Sequence, residues 1–113
     1  MSRIPPKMKQ PAAHNAGVYH VLPVTAGQTQ FSVDVIFCEM LRTSEHYLTA
    51  AGADGQVLWR SLVFRYVYDE RLEGDVQDIF PVDLFVEEDT VMVELEHRGL
   101  FKFNRLTGER IVV

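Results

Sequence analysis

The residues able to do chemistry in this 113-residue chain are few and widely spaced. Its single cysteine, Cys38, lies between Phe37 and Glu39 in an apolar run. A nucleophilic or redox thiol needs a histidine partner and an electropositive setting. The run supplies neither, so Cys38 reads as a small buried hydrophobe. The four histidines are His14, His20, His46 and His97. Zinc sites bring His or Cys in close pairs. His14 and His20 stand six apart across a glycine, and the chain has no HExxH or CxxC. No metal site is expected, and His97 reads as a surface histidine near a turn. Ser32, Ser44 and Ser61 fall in no GxSxG elbow, and no glycine-rich phosphate loop occurs. No catalytic residue and no cofactor is assigned, unless folding gathers groups that the sequence keeps apart.

Two stretches carry binding chemistry instead. The first is the acidic run Asp69, Glu70, Glu73, Asp75 and Asp78. Calcium needs six to eight oxygens from a closely spaced loop. The EF-hand alternation of acids about a central glycine is missing. Paired-carboxylate hydrolysis needs a cleft that raises one pKa, and the sequence shows none. The run therefore reads as a solvated face or as a docking surface for a basic partner. The second stretch is Trp59, Arg60, Arg65, Tyr66 and Tyr68. Trp, Tyr and Arg are enriched at binding hot spots, and they are also ordinary cross-strand pairing residues. The candidate binding residues are Trp59, Arg60, Tyr66, Tyr68, Asp69, Glu70, Glu73 and Asp75.

The charge pattern bounds the partners. The net charge of −5 disfavours nucleic acid, which needs a basic footprint. Residues 1–66 carry +2, residues 67–96 carry −10 and residues 97–113 carry +3. The acidity is thus local. No apolar run approaches the length that spans a bilayer, so no membrane partner is expected. The N-terminus is basic without an apolar core, unlike a secretory signal, though a processed chain would carry the same pattern. A lone cysteine excludes an internal disulfide and points to a reducing compartment, the cytoplasm.

These residues must be positioned mostly by strands. Residues 1–15, with Pro5, Pro6 and Pro11, read as a flexible or draping arm. Residues 16–113 read as one β-rich domain. Gly17–Leu22 is a short strand stopped by Pro23, and Thr25–Thr29 is a turn. Phe31–Leu41 is the clearest strand: Phe31, Val33, Val35 and Phe37 share one face, Ile36, Cys38 and Met40 the other. Apolar residues on both faces place it inside a sheet covered on both sides. Thr43–Gly52 fits either a capped helical turn or a strand. Asp54-Gly55 marks a hairpin turn into the long strand Gln56–Tyr68. There Val57, Trp59, Ser61, Val63, Arg65 and Val67 alternate with Leu58, Arg60, Leu62, Phe64, Tyr66 and Tyr68. Asp69–Phe80 is the best helix candidate, with Leu72, Val76, Ile79 and Phe80 at helical spacing, or else a loop with one turn. Four short strands follow: Val82–Val86, Thr90–Leu95, Leu100–Phe103 and Arg110–Val113. The fold class is mostly β, a small antiparallel barrel or sandwich of about seven or eight short strands with at most one or two short helical turns.

A faint internal echo links His46–Trp59 (HYLTAAGADGQVLW) with Gly99–Val112 (GLFKFNRLTGERIV), 53 residues apart. Asp54-Gly55-Gln56-Val57-Leu58-Trp59 and Thr107-Gly108-Glu109-Arg110-Ile111-Val112 resemble inner-strand hairpins of quinoprotein-type β-propeller blades. Two half-blades are too few to close a ring. What the resemblance implies here is antiparallel hairpins.

The functional expectation is a protein-binding module of adaptor, inhibitor or immunity-like type with an acidic recognition surface. A homodimer is expected to cover the edges of so small a β-domain. The competing expectation is a small-molecule-binding β-barrel, with or without enzymatic activity. It requires an enclosed pocket of several hundred Å³.

Overall fold

The computed structural model describes residues 21–72 and 77–112. The arm 1–15, most of the strand expected over 17–22, and the candidates Glu73 and Asp75 lie outside the described residues. Eight strands form: β1 (Val24–Ala26), β2 (Thr29–Cys38), β3 (Thr43–Ala51), β4 (Val57–Val67), β5 (Pro81–Glu87), β6 (Thr90–Leu95), β7 (Gly99–Asn104) and β8 (Arg110–Ile111). They make two four-stranded antiparallel sheets, β1-β2-β3-β4 (sheet A) and β5-β6-β7-β8 (sheet B). Each sheet is a simple meander. The result is a small sandwich, not a closed barrel. Its shortest dimension is 23 Å, in keeping with two sheets about 10 Å apart with side chains outside them.

Alternation decides the strand faces. On β3, Ser44, His46, Leu48 and Ala50 are buried, while Glu45, Tyr47, Thr49 and Ala51 are half-buried. This period of two, with partners on both sides, resolves Thr43–Gly52 as strand rather than helical turn. The core joins Phe31, Leu48, Ala50 and Val63 of sheet A to Leu84, Val91, Val93, Leu95 and Phe103 of sheet B. Burying each large side chain stabilises by about 1.5–3 kcal/mol. These side chains fill the space between the two sheets.

Several expectations need correction. The strand read as Phe31–Leu41 starts at Thr29 and stops at Cys38, and Glu39–Arg42 turns the chain, with Arg42 at φ 54°. It is not covered on both faces: Val35, Ile36 and Phe37 are exposed. Cys38 is half-buried rather than buried. The turn read at Thr25–Thr29 is shorter, since β1 runs to Ala26 and Gly27 takes φ 65°. The register of β4 against β3 shifts between His46 and Tyr47. This bulge lets both Val63 and Phe64 face inward. Beyond it the faces swap, so Arg65 and Val67 share the outer face with Arg60 and Leu62. A strict alternation along the strand misses this swap. Of the segment Asp69–Phe80, Asp69–Leu72 are not helical, Gln77 is, and Glu73–Val76 lie outside the described residues.

The echoing segments fold as the hairpins β3–β4 and β7–β8, the third and fourth strands of their respective sheets. Gly55 (φ 85°) and Gly108 (φ 79°) occupy the left-handed positions of their turns. The second turn is packed against the first hairpin. Ser61 donates to the Gly108 carbonyl at 2.5 Å, and Trp59 Nε1 donates to the Arg105 carbonyl at 3.1 Å. A Cβ on Gly108 would lie 2.5 Å from the Trp59 ring. Arg110 donates to the carbonyls of Leu62 and Val63, where the bulge leaves the β4 edge open. Its guanidinium lies over the rings of Phe101 and Phe103 at 5.2 and 5.4 Å.

Candidate functional site

One end of sheet A gathers several of the chain's exposed apolar side chains. The register sets Phe37 beside Ser44 and Tyr66, and Cys38 beside Thr43 and Val67. The amide of Tyr68 donates to the Arg42 carbonyl at 2.8 Å, tying the β2–β3 turn to the segment after β4. Phe37 meets Tyr68 edge-to-face at 5.6 Å, and Tyr68 meets Tyr66 the same way at 5.1 Å. Phe37 is 52% exposed, Met40 93%, Leu41 60% and Val67 66%. Leu72 is exposed on the neighbouring turn. Carboxylates of Glu39, Asp69 and Glu70 belong to these same turns. An apolar centre with polar surroundings is the anatomy of a protein-binding surface.

A polar clamp fixes the inter-sheet segment under this end. Gln77 is buried, and its Oε1 accepts from the Tyr66 hydroxyl and from the Asp69 amide, both at 2.7 Å. Its Nε2 donates to the Asp69 carbonyl at 2.9 Å. Asp78 accepts from the Tyr68 hydroxyl at 2.7 Å. Burial, reinforced by that carboxylate, pushes the Tyr68 phenol up to about 12. Asp69 accepts from the Arg71 amide and forms a two-pronged pair with its guanidinium. The Arg71 bonds hold the Asp69 carboxyl below its ordinary value.

His46 closes the clamp from inside. It is fully buried, and its Nε2 lies 2.9 Å from the Ile79 carbonyl. Against a carbonyl this nitrogen must carry the proton, which leaves Nδ1 bare. Among the described residues Nδ1 has no hydrogen-bond partner. Burial lowers the His46 pKa, with the carbonyls of Ile79 and Phe64 opposing it only in part.

The residues singled out from sequence do not form one surface. Trp59, Tyr66 and Tyr68 face inward on sheet A: Trp59 seals the sandwich at Phe31 (6.0 Å), while the tyrosines hold the clamp. Arg60 lies on the opposite face, 4.5 Å over the Tyr47 ring. Arg65 pairs there with Glu45 at 3.4 Å. Asp69 and Glu70 sit at the apolar end. Residues that sequence reasoning missed are Phe37, Met40, Leu41, Gln77 and His46. The signal for Phe37 was present, since β2 is apolar on both faces and its sheet neighbours cannot cover both.

An open groove of about 730 Å³ runs between Val21–Val24 and Phe80–Leu84, with Glu96 at its wall. Among the described residues no three His, Cys, Asp or Glu side chains gather as a metal site, and no helix is long and apolar enough to cross a membrane. No family model matches the chain, and the curated proteins contain no similar sequence.

Proposed function

We propose that this chain is a non-enzymatic protein-binding module, an adaptor, inhibitor or immunity-like β-domain. The observation that carries the reading is the apolar end of sheet A, formed by Phe37, Met40, Leu41, Val67 and Leu72. Contiguous apolar surface of this kind is costly to leave in water and marks interaction sites. The acids Glu39, Asp69 and Glu70 around it favour a partner with an apolar centre and a basic rim. The lone cysteine fits a reducing compartment, and the reading puts the module in the cytoplasm.

Two comparisons test the reading. Immobilised wild-type chain, the double variant Phe37→Lys/Met40→Lys and a control variant, Leu100→Lys on sheet B, are exposed to native lysate. One protein should be held in fixed ratio by wild type and control and lost from the double variant. Equal retention by all three overturns the reading. The acidic rim is tested with Asp69→Asn, Glu70→Gln, Glu73→Gln and Asp75→Asn combined. Asn at 69 keeps the oxygen that the Arg71 amide needs, so the fold should persist while partner binding weakens and loses its salt sensitivity. A variant that unfolds shows these acids to be structural and removes them from recognition.

A further inference from the structure

We propose that the free edge of β2 pairs with the same edge of a second copy of this chain, joining two A sheets into one eight-stranded sheet. The proposal goes beyond the reading above, because it rests on unpaired backbone rather than on the exposed tip. β1 is only three residues long and covers Thr29–Phe31 of β2. From Ser32 to Cys38 no described strand lies on that side, which leaves a seven-residue edge about 23 Å long. On the β4 edge, Arg110 occupies the Leu62 and Val63 carbonyls, and β5 lies against β1. Edges left open in soluble proteins carry lysine, proline or a bulge. Ser32–Cys38 carries none of these, and its sole charge is Asp34.

The edge is self-complementary in one register. A two-fold axis normal to the sheet keeps inner faces with inner faces, so only residues of matching parity oppose one another. With the axis at Ile36, Ile36 opposes its own copy on the outer face. On the inner face Val35 opposes Phe37 of the second copy, and the reverse. The three exposed apolar residues of the edge therefore cover each other. Asp34 then opposes Cys38, and no carboxylate faces another. Centring on Val35 would set Asp34 against Ile36, and centring on Asp34 would oppose two carboxylates. The Ile36 register also ends the new ladder at Asp34, three residues clear of the β1 partner Phe31.

Three measurements on the full chain decide it. Sedimentation should give a concentration-dependent dimer, and Ile36→Lys, which sets two ammonium groups at the axis, should weaken it about a hundredfold. Ile36 is an exposed outer-face residue, so this variant should keep its far-ultraviolet spectrum. Hydrogen exchange should show amides within Ser32–Cys38 gaining protection as concentration rises. In a Cys38→Ser background, Ile36→Cys should cross-link to a covalent dimer under mild oxidation. Opposed residues in an antiparallel pair lie within disulfide reach. A Leu100→Cys control on sheet B should not. A monomer with freely exchanging edge amides overturns the dimer but leaves the protein-binding reading standing. A monomer whose edge amides are protected at every concentration overturns the dimer by showing the edge closed within one chain. A dimer unaffected by Ile36→Lys, or cross-linked through Leu100→Cys alone, places the interface elsewhere and overturns it too.

Discussion

At the residue scale, three positions are held by constraints their neighbours impose. His46 folds in its neutral form, with its pKa below the ordinary 6.5. The folded state then binds fewer protons than the unfolded chain. This contribution is fully present above pH 6.5 and is lost as pH falls through and below it. Wild type should lose up to about 1.4 kcal/mol per pH unit below that point. Urea denaturation between pH 7.5 and 5.5 should show this fall, and His46→Gln should flatten it. Tyr68 acts at the other extreme, where a raised phenol favours the folded state below pH 10. That contribution fades as pH rises toward about 12. Gly108 is constrained by space as well as by φ. An added methyl would meet the Trp59 ring at 2.5 Å and Ser61 Oγ at 2.8 Å. Gly108→Ala should cost about 3 kcal/mol, read as a lowered denaturation midpoint. Gly55→Ala meets nothing within 4 Å, so it should cost only its backbone strain of about 1 kcal/mol. If the two variants are equally destabilised, φ alone sets the cost and the close packing on Trp59 does not contribute.

At the element scale, the Gln77 side chain ties the two described ends of the segment between the sheets. Gln77 satisfies the Asp69 amide and carbonyl and anchors the Tyr66 hydroxyl. Gln77→Leu leaves those backbone groups without their partner, at a cost of about 1–3 kcal/mol. Limited proteolysis should then cut between Asp69 and Phe80 before the sheets unfold, and the Asp69 amide should exchange faster. Tyr66→Phe removes one donor while Gln77 keeps its backbone bonds, so about 1 kcal/mol and no early cleavage are expected. The strands themselves were legible because alternation is a local property. Phe31, Val33, Leu48 and Ala50 announce their faces within a few residues. The bulge in β4 was not legible. The Arg110 side chain reaches the Leu62 and Val63 carbonyls beside it from 48 and 47 residues away.

At the scale of the whole molecule, the sequence by itself determined the β class, the antiparallel hairpins and the local acidity of residues 67–96. Each follows from composition, period-two patterning and turn residues such as Asp54-Gly55, all properties of neighbours in the chain. It also marked β2 as apolar on both faces. Only the tertiary structure decided which of those faces stays bare. β1 is too short to cover the edge beyond Phe31, and sheet B does not bury Val35 and Phe37. Tertiary structure likewise divided the expected aromatic and arginine strand, sending Trp59, Tyr66 and Tyr68 inward and Arg60 outward across the sheet. It brought Asp69 and Glu70 beside the β2–β3 turn through the Tyr68–Arg42 hydrogen bond. Such placements depend on contacts between residues tens of positions apart. Their geometry is set by sheet order and by the register shifts of β4 against β3, and neither leaves a mark on the local pattern of the chain.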